Sequence, residues 1–427
     1  MGQGLSLIGT WMQRTALLWL IGTRFPDERI AAFWLGVVGF SGQIPSLVLT
    51  PLAGAFADRW NRRRMVIVTQ TLAMVQAFAL ATLTLTGAIE MWHIIALSVW
   101  LGAANAVDIP TRQSFLVEMV DGTNELSNAI ALNSSIVNVG RLVGPALGGL
   151  LTALVGVGAC FLVNGFSFLA VIVALVAMRI APRVGVVSKK HVRRDLADGF
   201  AYAFRFPPIR ALLLIMALVS LVGIPYSSLL PVFAHHVLAA GPKGYGALMA
   251  GVGVGALVGA FYLASRSSVR GLGRVIAWSP ALLGAGLVAF ALSRSFALSL
   301  MLTPFLGLGQ ILLMASCNTV LQTIVEDDMR GRVMAFYSLS FLGMMPLGNL
   351  LAGVAARQVG PSWTIAVGGV LCIAAALRFS RKLPELRRWV RPIYVRKGII
   401  PEVASGLQAA VEHAAVRDPG RDPGRPQ

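Results

Sequence analysis

The chain has 427 residues, of which 56% are hydrophobic and only 13% are charged. Soluble domains carry about 25% charged and 45–50% apolar residues, so this composition excludes an ordinary water-soluble enzyme. The net charge of +18 would suggest nucleic acid as a partner of a soluble protein. In a membrane protein, the positions of the basic residues matter more than their sum.

The apolar residues form twelve runs, each close to the roughly 20 residues that a membrane-spanning helix needs. Six runs precede a basic stretch at residues 179–210, and six follow it. The sequence therefore predicts an all-α membrane protein with twelve transmembrane helices in two six-helix bundles, at residues 1–178 and 211–380. Residues 179–210 are predicted as a cytoplasmic central loop, and residues 381–427 as a cytoplasmic, partly disordered tail.

The lysines and arginines predict the orientation of the chain. If alternate runs cross the membrane, 29 of the 36 basic residues fall on the side of the N-terminus, two lie inside runs and five lie opposite. Cytoplasmic loops carry such an excess, so both termini are predicted in the cytoplasm and the protein in the cytoplasmic (inner) membrane. The expected partners are the lipid bilayer and a small-molecule substrate, with no nucleic acid.

The first run carries two polar side chains near its centre, Gln13 and Arg14. Ionisable groups within a bilayer are costly and indicate functional sites by default. Arg14 has no carboxylate nearby in sequence, so we expect it to bind either an anionic group of the substrate or Asp108 of the fourth run.

The connection between the second and third runs combines a glycine, an aspartate and several arginines. Gly54 allows the helix end to pack closely against a neighbour. Asp58 can lie against the N-terminus of another helix or pair with an arginine. The arginines can hold this half together on the cytoplasmic side, and they are Arg59, Arg62, Arg63 and Arg64.

Asp108 is predicted to lie inside the membrane in the fourth run. It follows Ile94 by 14 residues, or about 21 Å along a helix, within a hydrocarbon layer of about 30 Å. A buried carboxyl group is suited to carrying a proton. Arg112, one helical turn later, can instead neutralise it in a structural pair. Both interpretations stay open.

The fifth run contains glycines every four residues and a proline. This spacing predicts a smooth face for close helix contact and a kink. The residues concerned are Gly140, Arg141, Gly144, Pro145, Gly148 and Gly149. We expect Arg141 to stabilise helix contacts.

The second half echoes the first at an offset of 205 residues, with Leu116–Asp121 matching Leu321–Glu326. Duplicated halves usually place a substrate site between them near the midplane. Asn105 and Gln310 correspond at this offset, which supports a central location for that pair. Several amides can line a polar cavity or bridge two helices, namely Gln13, Asn105, Asn133, Gln310 and Asn318.

A glycine run at residues 251–255 superficially suggests a nucleotide-binding loop. It lies in an apolar run with no strand before it, and no Walker-type Gly-Lys-Ser/Thr occurs in the chain, so helix packing is the predicted role. The histidines and cysteines show no metal-ligand spacing. We therefore expect neither ATP, nor a metal, nor another cofactor.

Two of these motifs resemble signatures of the major facilitator superfamily. The order of Gly54, Asp58 and the arginines is similar to that family's span 2–3 motif, which implies a brace for the cytoplasmic gate in the outward-open state. The glycines around Pro145 resemble the span 5 motif of the family's antiporters. This resemblance implies a role at the seam between the halves, and it favours export over uptake.

Four segments resemble the bacterial branch that includes enterobactin exporters and putative transmembrane secretion effectors. These segments are Gly9–Arg14, Asp108–Gln113, Asn128–Ser134 and Arg330–Met334. The chain departs from that branch in lacking a basic leader before the first run, which indicates a truncated or misassigned start. It also lacks the span 1 aspartate and span 4 arginine of drug–proton antiporters, so those coupling residues do not carry over.

The resemblance implies a secondary active transporter that exports a small siderophore- or drug-like organic molecule by alternating access, with protons as the coupling ion. An uptake symporter or facilitator on the same fold is the first alternative. A membrane-embedded enzyme or non-transporting receptor is less favoured, because no His-Glu-x-x-His motif or other catalytic cluster is present.

Overall fold

The computed structural model describes residues 2–57, 61–119, 123–178, 192–266 and 268–400. Throughout these residues the regular secondary structure is helical, which confirms the all-α prediction. Eleven helical segments are long and apolar enough to cross a membrane. The first helix is not among the eleven because Gln13 and Arg14 make it less apolar. It nevertheless has 23 residues and packs inside the first bundle, so that the number of spans reaches twelve.

The first half contains six helices, which pack as one bundle. Their bounds are α1 Gly2–Arg24, α2 Glu28–Ala57, α3 Arg62–Leu85, α4 Met91–Glu118, α5 Thr123–Val155 and α6 Val157–Ala177. Helix α1 packs against α5 and α6, α2 against α4, and α3 against α4 and α6. Gly156 joins α5 to α6 with a φ of +97°, a conformation in which any other residue would be strained.

The second half contains the remaining helices and two π-helical turns. The helices are α7 Val192–Arg205, α8 Pro207–Val222, α9 Tyr226–Val232, α10 Pro242–Ala264, α11 Leu272–Leu292, α12 Phe296–Ile324, α13 Arg330–Ser338, α14 Met344–Val359 and α15 Pro361–Arg396. One π-helical turn, Phe233–Val237, continues α9, and the other, Leu339–Gly343, joins α13 to α14. The seventh and eleventh spans are therefore each built from more than one helix.

Two helices extend beyond the apolar runs. Helix α7 lies within the stretch predicted as a central loop, and its Phe200 ring packs 6.0 Å from the Phe336 ring of α13. The apolar side chains of α7 recur at helical spacing, as in the stacked pair Phe200 and Phe204, in a segment too polar to form an apolar run. Helix α15 continues to Arg396 because the charged residues that follow its span are good helix formers.

Large apolar side chains remain exposed on the outer faces of the bundle. Trp278 is 73% exposed, Met301 70% and Phe261 69%. A soluble monomer rarely presents such a surface to water, whereas helices in a bilayer present it to lipid. The exposed faces therefore agree with a multi-pass membrane protein.

Glycines bring the two halves together at the end of the bundle away from the start of α1 and the end of α15. A Cβ atom added to Gly36, near the start of α2, would lie 2.6 Å from the Asn349 carbonyl oxygen and 2.7 Å from Gly353 Cα in α14. A Cβ atom on Gly149, near the end of α5, would lie 2.5 Å from the Pro242 oxygen and 2.9 Å from Gly246 Cα in α10. We call these two contacts the glycine seam.

Candidate functional site

The connection between α2 and α3 is described in part. Gly54 lies in the last turn of α2, whereas Asp58 and Arg59 lie outside the described residues. Arg63 donates from Nε to the Leu175 oxygen at 2.8 Å and from Nη2 to the Val176 oxygen at 2.7 Å. A helix leaves its last carbonyls unpaired, so Arg63 ties the start of α3 to the end of α6.

The other two arginines of this connection lie at the first turn of α3. The backbone N–H of Arg64 donates to Asn61 Oδ1 at 3.1 Å, which caps the helix, and Arg62 also has an interaction partner. The role of the whole motif at a gate stays a prediction.

Asp108 lies in a buried polar cluster between α3 and α4. Its Oδ1 accepts hydrogen bonds from Thr69 Oγ1 at 2.7 Å and from Gln70 Nε2 at 3.0 Å. Its Oδ2 accepts from Arg112 Nε at 3.1 Å and Nη2 at 2.9 Å. The carboxylate is thus held by Arg112 within its own helix and by two neutral donors from α3.

Gln13 is buried within the first bundle. Its Nε2 donates to Gln76 Oε1 at 3.0 Å, and its Oε1 accepts from Asn164 Nδ2 at 2.8 Å. These bonds link α1, α3 and α6. Because the side chain is only 4% exposed, it bridges helices in this conformation and does not line an open cavity.

The remaining amide candidates form no recorded hydrogen bonds with one another within the described residues. Asn133 accepts from Gln3 at 2.8 Å, which joins α5 to α1, and Asn318 bonds within α12 to Gln322. Asn105 and Gln310 are half-buried in α4 and α12, and within the described part of the chain no hydrogen bond is recorded for either. The structure does not assemble these amides into one cluster.

The glycine motif of α5 has two faces. On one face, Gly140, Gly144 and Gly148 lie against α1, and a Cβ atom on Gly144 would overlap Trp11 Cβ and lie 2.9 Å from the Ile8 oxygen. On the other face, Gly149 lies against α10 of the second half. One motif therefore serves both packing within the first bundle and the seam between the halves.

Arg14 and Arg141 lie on the two sides of this α1–α5 contact, and both are close to Trp11. The Arg14 guanidinium carbon is 5.4 Å from the centre of the Trp11 ring, and that of Arg141 is 5.9 Å from it. The two guanidinium carbons are therefore at most about 11 Å apart. Two unit charges at that distance repel by on the order of 1.5 kcal/mol at an effective dielectric constant near 20.

The side chain of Arg14 is accessible although it lies at the middle of α1. Its neighbours Met12, Gln13, Thr15 and Ala16 are all buried, whereas Arg14 itself is exposed. The Asp108 carboxylate is held by Thr69, Gln70 and Arg112, not by Arg14, so Asp108 is not the partner of Arg14 in this conformation, and substrate binding by Arg14 stays a prediction.

Two tyrosines of the second half lie near these arginines, Tyr245 of α10 near Arg14 and Tyr226 of α9 near Arg141. Tyr245 is fully buried and stacks on Trp19 at 5.7 Å, and its hydroxyl oxygen has no hydrogen-bond partner among the described residues. The candidate site, which we call the arginine site, consists of Trp11, Arg14, Arg141, Tyr226 and Tyr245.

Sequence reasoning missed the aromatic members of the arginine site. The chain has only six tyrosines, and a tyrosine buried in a membrane protein needs a partner for its hydroxyl. The rarity of tyrosine in this chain was therefore the signal that could have identified these residues. Their positions opposite Arg14 and Arg141, however, depend on how the two halves dock.

Comparison with known proteins places the chain among membrane transporters. The transmembrane secretion effector family matches residues 2–392. The staphyloferrin A transporter of Staphylococcus aureus is 26% identical over 89% of this chain and 94% of its own length. The multidrug efflux pump Tap of Mycolicibacterium fortuitum is 25% identical over 76% of this chain and 81% of its own.

Solved structures share the fold. A bacterial homologue of the human lysosomal transporter Spinster, in an inward-facing and unoccupied conformation, superposes with a TM-score of 0.66 at 16% identity, covering 91% of this chain and 97% of its own. A peptide transporter of the POT family in complex with sulfate gives 0.67 at 13% identity, covering 91% and 95%.

The family match covers nearly the whole chain, and the relatives named above are transporters, not enzymes. The chain therefore belongs to the transmembrane secretion effector family of the major facilitator superfamily.

Proposed function

We propose that the protein is a proton-driven exporter of a small organic molecule in the cytoplasmic membrane, with both termini in the cytoplasm. Efflux pumps among the relatives support export, and the excess of basic residues on the side of the termini supports the orientation. The span 5 motif, which distinguishes antiporters in the superfamily, supports exchange of substrate for protons.

The observation that carries the proposal is the glycine seam. It joins the halves on the side away from the start of α1 and the end of α15, at Gly36 with Gly353 and at Gly149 with Gly246. With the termini in the cytoplasm, this is the outer side, so the conformation would be closed outward. Rocking of the halves about a site between them would then open that side, as alternating access requires.

The proton is proposed to travel through Asp108. All its hydrogen bonds come from Arg112, Thr69 and Gln70, so uptake of a proton would require the pair with Arg112 to open. The pair lies within α4, and the Thr69 and Gln70 donors belong to α3 of the same half, so opening requires a rearrangement inside the first half that accompanies the rocking. Such a rearrangement would couple proton binding to the movement of the halves.

We expect Asp108→Asn to reduce export by about tenfold or more, in line with the loss of a proton-transferring group. The compound to follow is whichever metabolite disappears from the spent medium when the gene is deleted. Its amount in the medium is measured at several external pH values and with a protonophore, and is normalised to the protein in the membrane. Asp27→Asn, at an exposed carboxylate, is the matched control and should export normally.

The double variant Asp108→Asn/Arg112→Gln separates coupling from structure. Removing one partner of a buried pair leaves the other charge uncompensated and typically costs 3–5 kcal/mol, and removing both avoids that penalty. If the double variant regains normal, pH-dependent export, Asp108 is a structural partner and the coupling role is wrong. If it inserts normally but fails to export, coupling is supported. If the strain that carries the gene holds more of a metabolite inside its cells than the deletion strain does, the protein catalyses uptake.

A further inference from the structure

The arginine site contains two cations at the contact of the two halves. Arg14 and Arg141 lie at the middle of α1 and α5 and approach the same indole ring, Trp11, at 5.4 and 5.9 Å. Within the part of the chain that the structure describes, neither forms an ion pair or a hydrogen bond, and Trp11 is the partner recorded for both. Cation–π contact with one ring compensates only part of the desolvation of a guanidinium.

Charged side chains within a membrane protein normally pair with an opposite charge or line a water-filled route. Asp108, the carboxylate near the middle of a described span, is already held by Arg112. Arg14 is accessible, so an anion that enters between the halves can reach it. Arg14 and Arg141 therefore have no counter-ion among the described residues, and an anionic ligand would supply one.

An independent observation is the hydroxyl of Tyr245. This side chain belongs to the second half, is fully buried, and leaves its hydroxyl without a partner among the described residues. It also lies near Arg14. A guanidinium can only donate hydrogen bonds, whereas a tyrosine hydroxyl can donate one and can also accept. The site therefore presents more donors than acceptors.

We propose that the arginine site binds an organic polycarboxylate, with one carboxylate on Arg14 and Tyr245 and a second on Arg141. This substrate class rests on the proposed exporter function. The two guanidinium carbons lie 5.4 and 5.9 Å from the centre of the same indole ring, so they are at most about 11 Å apart, and two anionic groups joined by a carbon skeleton can reach both. A single compact ion such as phosphate has no skeleton to pack against that ring. The skeleton would pack against Trp11.

The site also explains why substrate and conformational change are linked. Arg14 and Arg141 belong to the first half, whereas Tyr226 and Tyr245 belong to the second. A ligand held by donors from both halves changes its contacts when the halves rock, and only such differential contact can shift a conformational equilibrium.

The test measures ligand binding to the purified full-length protein by titration calorimetry. The probes are citrate, its neutral trimethyl ester and inorganic phosphate. We expect citrate to bind more tightly than both, and Arg14→Gln or Arg141→Gln to weaken citrate binding by about tenfold or more, the size of one charge-assisted hydrogen bond. Tyr245→Phe should weaken it by a few-fold. Arg294→Gln, at an exposed arginine between α11 and α12, is the matched control and should bind as the unmodified protein does.

Equal binding of citrate and its ester, equal binding of phosphate, or unchanged binding in both arginine variants would overturn the polycarboxylate site. Thermal unfolding of each variant without ligand shows whether it is folded, and Arg14→Lys, which keeps the charge, should bind with intermediate affinity.

Export is a separate readout. If citrate binds through the arginines but no metabolite is exported, the exporter function fails and the anion site stands. If a neutral or cationic compound is exported normally by the arginine variants, the anion site fails and export stands.

Discussion

Gly149→Leu is expected to abolish export while leaving the protein in the membrane. A Cβ atom at this position would lie 2.5 Å from the Pro242 oxygen and 2.9 Å from Gly246 Cα, and backbone atoms cannot move aside as a flexible side chain can. Overpacking typically costs 1–3 kcal/mol, which corresponds to a shift of about 5- to 150-fold in the balance between the closed and open outer sides. The transporter would then fail to close outward and would not complete its cycle.

The measurement combines export with accessibility from outside. The natural cysteines Cys160, Cys317 and Cys372 are buried, so Ser228→Cys, at a residue that is only 4% exposed and bonds to Asn349 near the seam, can report opening. A membrane-impermeant maleimide should label it several-fold faster when Gly149→Leu is present. Gly241→Ala is the control, because a Cβ atom there meets open space. Normal export by Gly149→Leu would show that the seam does not have to close.

The fold could be read from the sequence because lipid imposes a simple rule. Every backbone group in the bilayer must be bonded within its own helix, so apolar runs of sufficient length predict helices. The rule weakens where a span is polar or continues into water. Helix α1 contains Arg14 and falls below the hydropathy of the other spans, and α15 continues to Arg396.

Motifs within one helix could also be interpreted in advance. The four-residue spacing of Asp108 and Arg112 predicts their pairing as one of two possibilities, and the structure places Nε and Nη2 of Arg112 on one carboxylate oxygen. The glycine spacing of α5 predicts a smooth face. That Gly144 serves α1 while Gly149 serves the second half follows only from the docking of the helices.

The arginine site could not be predicted from the sequence, for a related reason. Arg14 was recognised as costly, but Arg141 was assigned to helix contacts, and Tyr245 lies more than 200 positions from Arg14. No period or spacing connects residues that meet only when two halves dock. The sequence predicts which side chains need partners, and the tertiary structure determines which partners they obtain.

The glycine run at residues 251–255 shows how packing within a half differs from packing between halves. A Cβ atom on Gly255 would overlap the Pro304 oxygen of α12, and one on Gly307 would overlap the Val252 oxygen in return. A Cβ atom on Gly253, two residues away and on another face of α10, would lie 3.0 Å from Leu142 of the first half. The sequence predicts that this run serves helix packing. In the structure its glycines pack on two faces of α10, with Gly255 against α12 and Gly253 against the first half.

Gly255→Leu is therefore expected to prevent the second half from assembling. Lipid tails are as apolar as leucine, so close packing supplies much of the attraction between membrane helices. Moving α10 away from the α12 backbone would remove that packing along the whole contact. A loss of several kcal/mol is comparable with a total stability of 5–15 kcal/mol. We expect the folded protein in the membrane to fall by about tenfold or more, measured by size-exclusion of a fluorescent fusion.

Two neighbouring substitutions make this result specific. Val254→Leu changes a side chain that is 45% exposed and should accumulate normally. Gly253→Leu should also accumulate, because its nearest neighbours, Leu142 Cδ1 at 3.0 Å and Cα at 3.2 Å, are farther away than the Pro304 backbone is from Gly255, but it should export more slowly because it crowds the contact between the halves. Normal accumulation of Gly255→Leu would mean that α10 and α12 can separate without loss of the fold. Equal loss of folded protein in Gly253→Leu would mean that the halves do not fold independently of the contact between them.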